Sequence, residues 1–177
     1  MNTLSRFYVG VAIVGISILS LAAISYAAGA RVNTTRSIPV GLYWTTDAKL
    51  EKGAYVFFCP PDVSAFVTAK ERNYISGGFC PGDYGYMMKR ILAAKGDVVT
   101  ITDSGVSVNG ELLPHSKPIQ ADLDGRKLPR YQSNQYTLGS SELLLMSDVS
   151  DTSFDGRYFG PVSRSQVKSV IRPVIIW

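Results

Sequence analysis

The chain has 177 residues, enough for one domain with a substantial core plus an accessory segment. Its net charge of +4 and pI near 9.1 suggest a nucleic-acid partner only until the charges are placed. Three of the 18 basic residues, Arg6, Arg31 and Arg36, precede Ser37, leaving fifteen against 14 acids in the remainder, with no basic stripe interleaved with aromatics. Nucleic-acid binding is therefore set aside.

Phe7 to Ala30 is an uncharged apolar run bracketed by Arg6 and Arg31. At about 1.5 Å per helical residue it is long enough to cross a hydrocarbon core of about 30 Å. Ala28-Gly29-Ala30 also has the small-x-small form cut by signal peptidases, so a cleaved secretory segment is the rival reading. The length of the run favours an uncleaved anchor. Orientation is less constrained, because a long following domain is translocated largely regardless of flanking charge. The expected organisation is an anchor and short polar stalk over 1–36, then a β domain over 37–177. Ser37 would stand within about 25 Å of the helix end even on a fully extended stalk.

Ile38 to Trp44 is apolar and aromatic, suiting either a membrane interface or a core strand. Ala54 to Cys59 reads as a buried strand. Val63 to Tyr74 reads as a helix with Asp62 as its N-cap, ended by Gly77-Gly78. Tyr86 to Leu92 is a strand closed by the turn Lys95-Gly96-Asp97. Alternation places Lys89 between Met87 and Ile91 on one face and Arg90 with Met88 and Leu92 on the other. Further strands are expected at Asp97–Thr102, in a hairpin turning at Asn109-Gly110, at Glu142–Met146 and at Val167–Trp177, with an irregular segment from Pro114 to Asn134. The class is mainly β, with one short helix and one N-terminal membrane helix.

Cys59 and Cys80 are the only cysteines. Behind a secretory segment an even count suggests one disulfide, the alternative being two buried thiols. Two cysteines and the single histidine, His115, do not make a metal-ligand set, and no cofactor motif is present.

For chemistry, Ser-His-Asp has little support: His115 lies in the irregular segment and there is no G-x-S-x-G elbow. Ser165-Gln166-Val167-Lys168 is an S-x-x-K string, but it overlaps a strand start and lacks companion motifs. Lys89 is a different matter. Flanked by apolar side chains, it could lose the roughly three pKa units from ~10.4 that a base near pH 7–8 requires. An ammonium snorkelled to the strand edge is the alternative.

Lys89-Arg90-Ile91 with Lys95-Gly96-Asp97 resembles the K-R-(I/V)-x-G-x-x-G-D box of type I signal peptidases, with Ala93 at the family's first glycine. Gly53-Ala54-Tyr55-Val56 is similar to their G-D-(I/V)-V box, with Ala54 for the acid. Ser153-Phe154-Asp155-Gly156-Arg157-Tyr158 resembles S-x-D-S-R-(Y/W), with Gly156 for serine. Ser37-Ile38-Pro39 stands where the family has S-M-x-P. The S-I-P-x-G-(L/I)-Y form around Ser37 and Ser147-Asp148-Val149 in place of G-D-N resemble the conjugative-transfer branch.

The resemblance implies a twisted antiparallel β fold at the periplasmic face of the cytoplasmic membrane. It also implies a serine endopeptidase acting on a pilin precursor, with an acyl-enzyme resolved by the substrate's own amino terminus. Ser37 would be the nucleophile and Lys89 the base. Ser153 would orient the lysine, and Asp155 and Arg157 would be a pair that braces the site, two residues apart on one face of an extended segment, with Asp155 required for activity. Thr35 is a candidate oxyanion donor. A housekeeping leader peptidase and a non-catalytic envelope module remain the alternatives.

Overall fold

The structure is a computed structural model that describes residues 3–177, with side-chain surroundings from residue 4 onward. A helix, α1 (Thr3–Ala27), precedes β1 (Ala30–Asn33), β2 (Gly41–Thr46), β3 (Tyr55–Phe58), α2 (Ser64–Glu71), β4 (Gly77–Cys80), β5 (Met87–Ala93) and β6 (Val98–Thr102). Then follow β7 (Gly105–Val108), β8 (Glu111–Leu112), β9 (Ser133–Thr137), β10 (Glu142–Met146), α3 (Gly156–Phe159), β11 (Val162–Ser163) and β12 (Val167–Ile176). Seven strands form one antiparallel sheet in the order β1-β2-β12-β3-β5-β10-β11, and four form a second in the order β8-β7-β6-β9. The mainly β class read from the sequence is the architecture found.

Leu4–Ala27 of α1 is 24 residues long, apolar, and buries none of its residues against the rest of the protein, as a membrane span or a signal sequence would. The helix ends three residues before the apolar run does. Gly29, at φ +112°, makes the reversal, and a Cβ there would lie 2.2 Å from Thr45 Oγ1. Ala30–Asn33 is not a stalk but an edge strand, pairing Arg31 with Tyr43 and Asn33 with Gly41. The joint is fastened by side chains. Arg31 lies over the Tyr26 ring at 4.1 Å and the Phe57 ring at 5.2 Å, and the Tyr26 hydroxyl meets that of Tyr86 just before β5.

Ile38 and Tyr43 are fully buried with Phe57 and Ile171, so the apolar stretch after Ser37 belongs to the core. A second cluster joins Ala93, Leu144 and Met146 of the large sheet to Val99, Ile101, Val106 and Val108 of the small one. The largest cluster lies under α2, where Phe66 meets Phe154 and Phe159. Helix α2 is shorter than the sequence suggests, and its N-cap is Val63, with no side-chain cap, rather than Asp62. The Asn109-Gly110 turn has positive φ at both residues, 55° and 85°, as a two-residue hairpin connection needs. β9 begins in the last two residues of the segment expected to be irregular and runs beyond it; its residues are mostly exposed, so it lacks the apolar alternation that marks a strand.

Cys59 and Cys80 form a disulfide with 5.5 Å between Cα atoms and a sequence separation of 21. It ties the end of β3 to β4, beside the entry to β5. Cross-linking a loop of this length stabilises by about 3 kcal/mol in the chain-entropy description. A Cys59→Ser/Cys80→Ser protein should unfold with a stability lower by about that amount, measured by denaturant titration against the oxidised wild type.

Candidate active site

Three segments converge on β5. The first is the strand itself. Met87, Lys89, Ile91 and Ala93 are buried and Met88, Arg90 and Leu92 are half-buried, a strict alternation along seven residues. Lys89 is 3% exposed, with Val56 of β3 as its cross-strand partner. Burial is the largest influence on its amine and brings its pKa down to about 8; Asp155 pulls it back up and Arg157 pushes it down. The ammonium does not snorkel into water, and about a tenth of such a group is neutral at pH 7.

The second segment is the turn between β1 and β2. The Ser37 Oγ is half-buried and donates to the carbonyl oxygen of Met88 at 3.3 Å, which sets it against the residue preceding Lys89. Thr35 Oγ1 lies 2.9 Å from Ser37 Oγ. Among the described residues no hydrogen bond joins Ser37 Oγ to the Lys89 amine in this arrangement.

The third is the stretch after β10. Asp155 and Arg157 are 0% and 1% exposed and form a two-pronged pair, Nε to Oδ1 and Nη2 to Oδ2, both at 2.8 Å. The backbone here is not extended as the sequence suggests. Asp155 is the N-cap of α3 and accepts the Arg157 N–H as well, while its Oδ2 also accepts from Ser147 N. Arg157 donates onward to the carbonyls of Asp151 at 2.8 Å and Ser150 at 3.1 Å. The Asp155 carboxylate is thus spent on Arg157 and the backbone and makes no direct bond to Lys89. Ser153 Oγ is buried without a hydrogen-bond partner, so the bond to Lys89 that the resemblance implies is not formed in this arrangement.

Arg90 points away from the lysine and binds Asp148 at 2.9 Å and the Gly53 carbonyl at 2.9 Å; Tyr55 also donates to Asp148, at 2.7 Å. Asp97 closes the following turn by accepting from Ala94 N at 3.0 Å and Asn109 Nδ2 at 2.7 Å. His115 is exposed and meets Asp151, not Ser37. The residue that sequence reasoning passed over is Asn33, assigned there to the stalk. Its side chain is buried inside the Ser37 turn. The two-residue steps from Asn33 to Thr35 and from Thr35 to Ser37 were the available signal.

A buried amine of lowered pKa and a serine hydroxyl on the neighbouring residue's carbonyl are groups that base-assisted acyl transfer without histidine can use. The model of the signal peptidase family, peptidase S26, matches residues 1–177, and the chain belongs to that family. It is 70% identical over 174 residues to an Escherichia coli plasmid transfer protein TraF, covering 98% of each chain. It is also 36% identical over 167 residues to the conjugal transfer protein TraF of Agrobacterium tumefaciens strain 15955, covering 92% of this chain and 90% of the relative. Among solved structures, signal peptidase I of Enterococcus faecalis V583 aligns with a TM-score of 0.42 at 18% identity, covering 72% of this chain and all of that one.

The charges around Lys89 give signed expectations. Asp155→Asn removes the group that raises the lysine's pKa and should move its titration below about 8; Arg157→Gln should move it up. Breaking the buried pair by either change should also destabilise by about 3–5 kcal/mol. Because the folded-state pKa is depressed, burying Lys89 costs stability below pH about 8. That cost fades as pH rises toward the unfolded value of ~10.4. Lys89→Met should therefore raise stability at pH 7 by on the order of 1–3 kcal/mol and abolish the gain between the two pKa values, read from unfolding curves across pH.

Proposed function

We propose that this protein is a membrane-anchored serine endopeptidase whose dyad is Ser37 and Lys89 and whose substrate is a pilin precursor for conjugative transfer. The observation that carries the reading is Lys89: buried at 3% exposure, lowered to about 8, and next in the chain to the Met88 carbonyl that holds Ser37 Oγ. The plasmid-transfer names of the relatives support the choice of pathway, and helix α1 supports attachment to the inner membrane with the β portion in the periplasm. A disulfide suits that compartment.

The neutral Lys89 amine takes the Ser37 hydroxyl proton as Oγ bonds to the scissile carbonyl carbon, and the resulting ammonium returns it to the leaving amine. Meeting Ser37 requires the Lys89 amine and the Ser37 hydroxyl to turn toward each other, and substrate binding supplies the occasion. Ser153, with its unpartnered hydroxyl, holds the lysine in the reacting rotamer. The Ser37 N–H and the Thr35 hydroxyl receive the oxyanion. Asp155 and Arg157 act through the lysine's electrostatics and the rigidity of α3. The acyl-enzyme then passes to water, or to the precursor's own amino group to close a ring.

Ser37→Ala and Lys89→Ala should each abolish precursor processing while the domain stays folded. Lys89→Arg should fail as well, since a guanidinium with pKa above ~12 cannot act as base. In wild type, kcat/KM should rise with pH along a limb near pH 8. Normal processing by Lys89→Arg would rule the dyad out. Mass spectrometry of the product separates the two fates of the acyl group: a cyclic product is lighter by one water than the hydrolysed one.

A further inference from the structure

One side chain organises the turn that carries Ser37, and its role rests on the Ser37–Lys89 reading. Asn33, the last residue of β1, is 4% exposed. Its Nδ2 donates toward the carbonyl oxygens of Thr35 at 2.7 Å, Ile38 at 2.9 Å and Pro39 at 3.1 Å. Its Oδ1 accepts from Thr35 N at 3.3 Å and Thr35 Oγ1 at 3.0 Å. A nitrogen facing three acceptors and an oxygen facing two donors fix the orientation of the amide. The turn from Thr35 to Pro39, with Ser37 at its middle, is therefore closed around a single carboxamide.

The pattern also favours one order of protons. Thr35 has one hydroxyl hydrogen, and Asn33 Oδ1 can only accept. With that hydrogen on the Asn33 side, Thr35 Oγ1 faces Ser37 Oγ, 2.9 Å away, as an acceptor. The resting order is Ser37 hydroxyl to Thr35 oxygen at 2.9 Å, its single hydrogen shared with the Met88 carbonyl at 3.3 Å, and Thr35 hydroxyl to Asn33 oxygen.

We propose that Asn33 is a positioning residue for the nucleophile: it clamps the Ser37 turn and holds the Thr35 hydroxyl as the resting acceptor for the Ser37 proton. When substrate binds, that proton leaves for Lys89 as the Oγ–C bond forms, never for Thr35. The Thr35 hydroxyl then turns from Asn33 Oδ1 to the oxyanion, while the two hydrogens of Asn33 Nδ2, shared among three carbonyls, keep the loop in place. One hydroxyl thus accepts before the reaction and donates during it, and Asn33 makes both states available.

The test is the reaction of the full chain in detergent micelles with a fluorophosphonate, which bonds to Ser37 Oγ with loss of fluoride. It is followed by intact mass, so that kinact and KI are obtained separately across pH. Wild type should be labelled on Ser37. Asn33→Ala should lower kinact by about 10- to 100-fold, the scale of a misplaced reacting group, with KI within about twofold of wild type and the pH limb of Lys89 unmoved. Asn33→Asp keeps the size and the acceptor but sets oxygen against three carbonyls, and it should be as slow. It decides the matter if Asn33→Ala does not fold. Thr35→Val, which leaves the Nδ2 contacts intact, should also lower kinact, and Thr35→Ser should restore it. Unchanged kinact in the Asn33 variants, with wild type labelled on Ser37, overturns the proposal and leaves the dyad standing. A limb that shifts with the slowing also overturns it, because Asn33 would then act through the burial of the lysine. Equal labelling of wild type and Ser37→Ala overturns the dyad itself.

Discussion

Everything in the site depends on keeping one lysine dry. A strand has only two faces, and β5 turns Lys89 onto the same face as Met87, Ile91 and Ala93. The surrounding sheet supplies the desolvation: β3 pairs on one side and β10 on the other, and the residues opposite and beside the lysine are apolar and buried. The nearby ion pair decides how far the amine is pushed. Burial is the largest influence and prevails; Asp155 favours the ammonium, and Arg157, by a smaller amount, opposes it. The two short bonds from the guanidinium set that opposing charge beside the carboxylate.

The proposed nucleophile is carried by a different piece of the chain, and its rigidity has its own source. The β1–β2 turn is too short to hold itself in shape by core packing alone. Buried Ile38 and Tyr43 anchor its far side, with the Tyr43 hydroxyl on the Pro39 carbonyl at 2.6 Å, and Asn33 fills its middle. Because β1 follows α1 after two residues, the same hairpin joins the apolar helix to the site. The Tyr26–Arg31–Phe57–Tyr86 cluster reinforces that joint directly at the start of β5. In an anchored protein this would fix how far from the lipid surface the serine stands and which way it faces.

Much of this was legible in the sequence, for definite reasons. Strict alternation over 87–93 announced both the strand and the face of Lys89, and Asn109-Gly110 announced its hairpin, because each is a local rule with little competition. The family boxes singled out Ser37, Lys89, Ser153, Asp155 and Arg157 as candidates, and the bracing contact expected between Asp155 and Arg157 is present, on a helical turn rather than an extended segment. The polar β1 read as a stalk, since Arg31 and Asn33 satisfy themselves through hydrogen bonds and ring contacts with α1, the Ser37 turn and β3 that only the folded chain provides. β9 escaped because its side chains face solvent. The α3 turn is four residues long and held by Asp155 and Arg157 rather than by helix propensity, so no periodicity could reveal it. The Ser153 rotamer is a detail no pattern encodes.

The central claim concerns the charge state of one nitrogen. Heteronuclear NMR of isotopically labelled lysines in the full chain, assigned by Lys89→Met and followed from pH 6 to 11 in micelles, measures it without any substrate. The account predicts a titration for Lys89 near 8, apart from the remaining lysines. A Lys89 resonance titrating near ~10.4 with the others would mean an ordinary solvated ammonium, and the base would be lost.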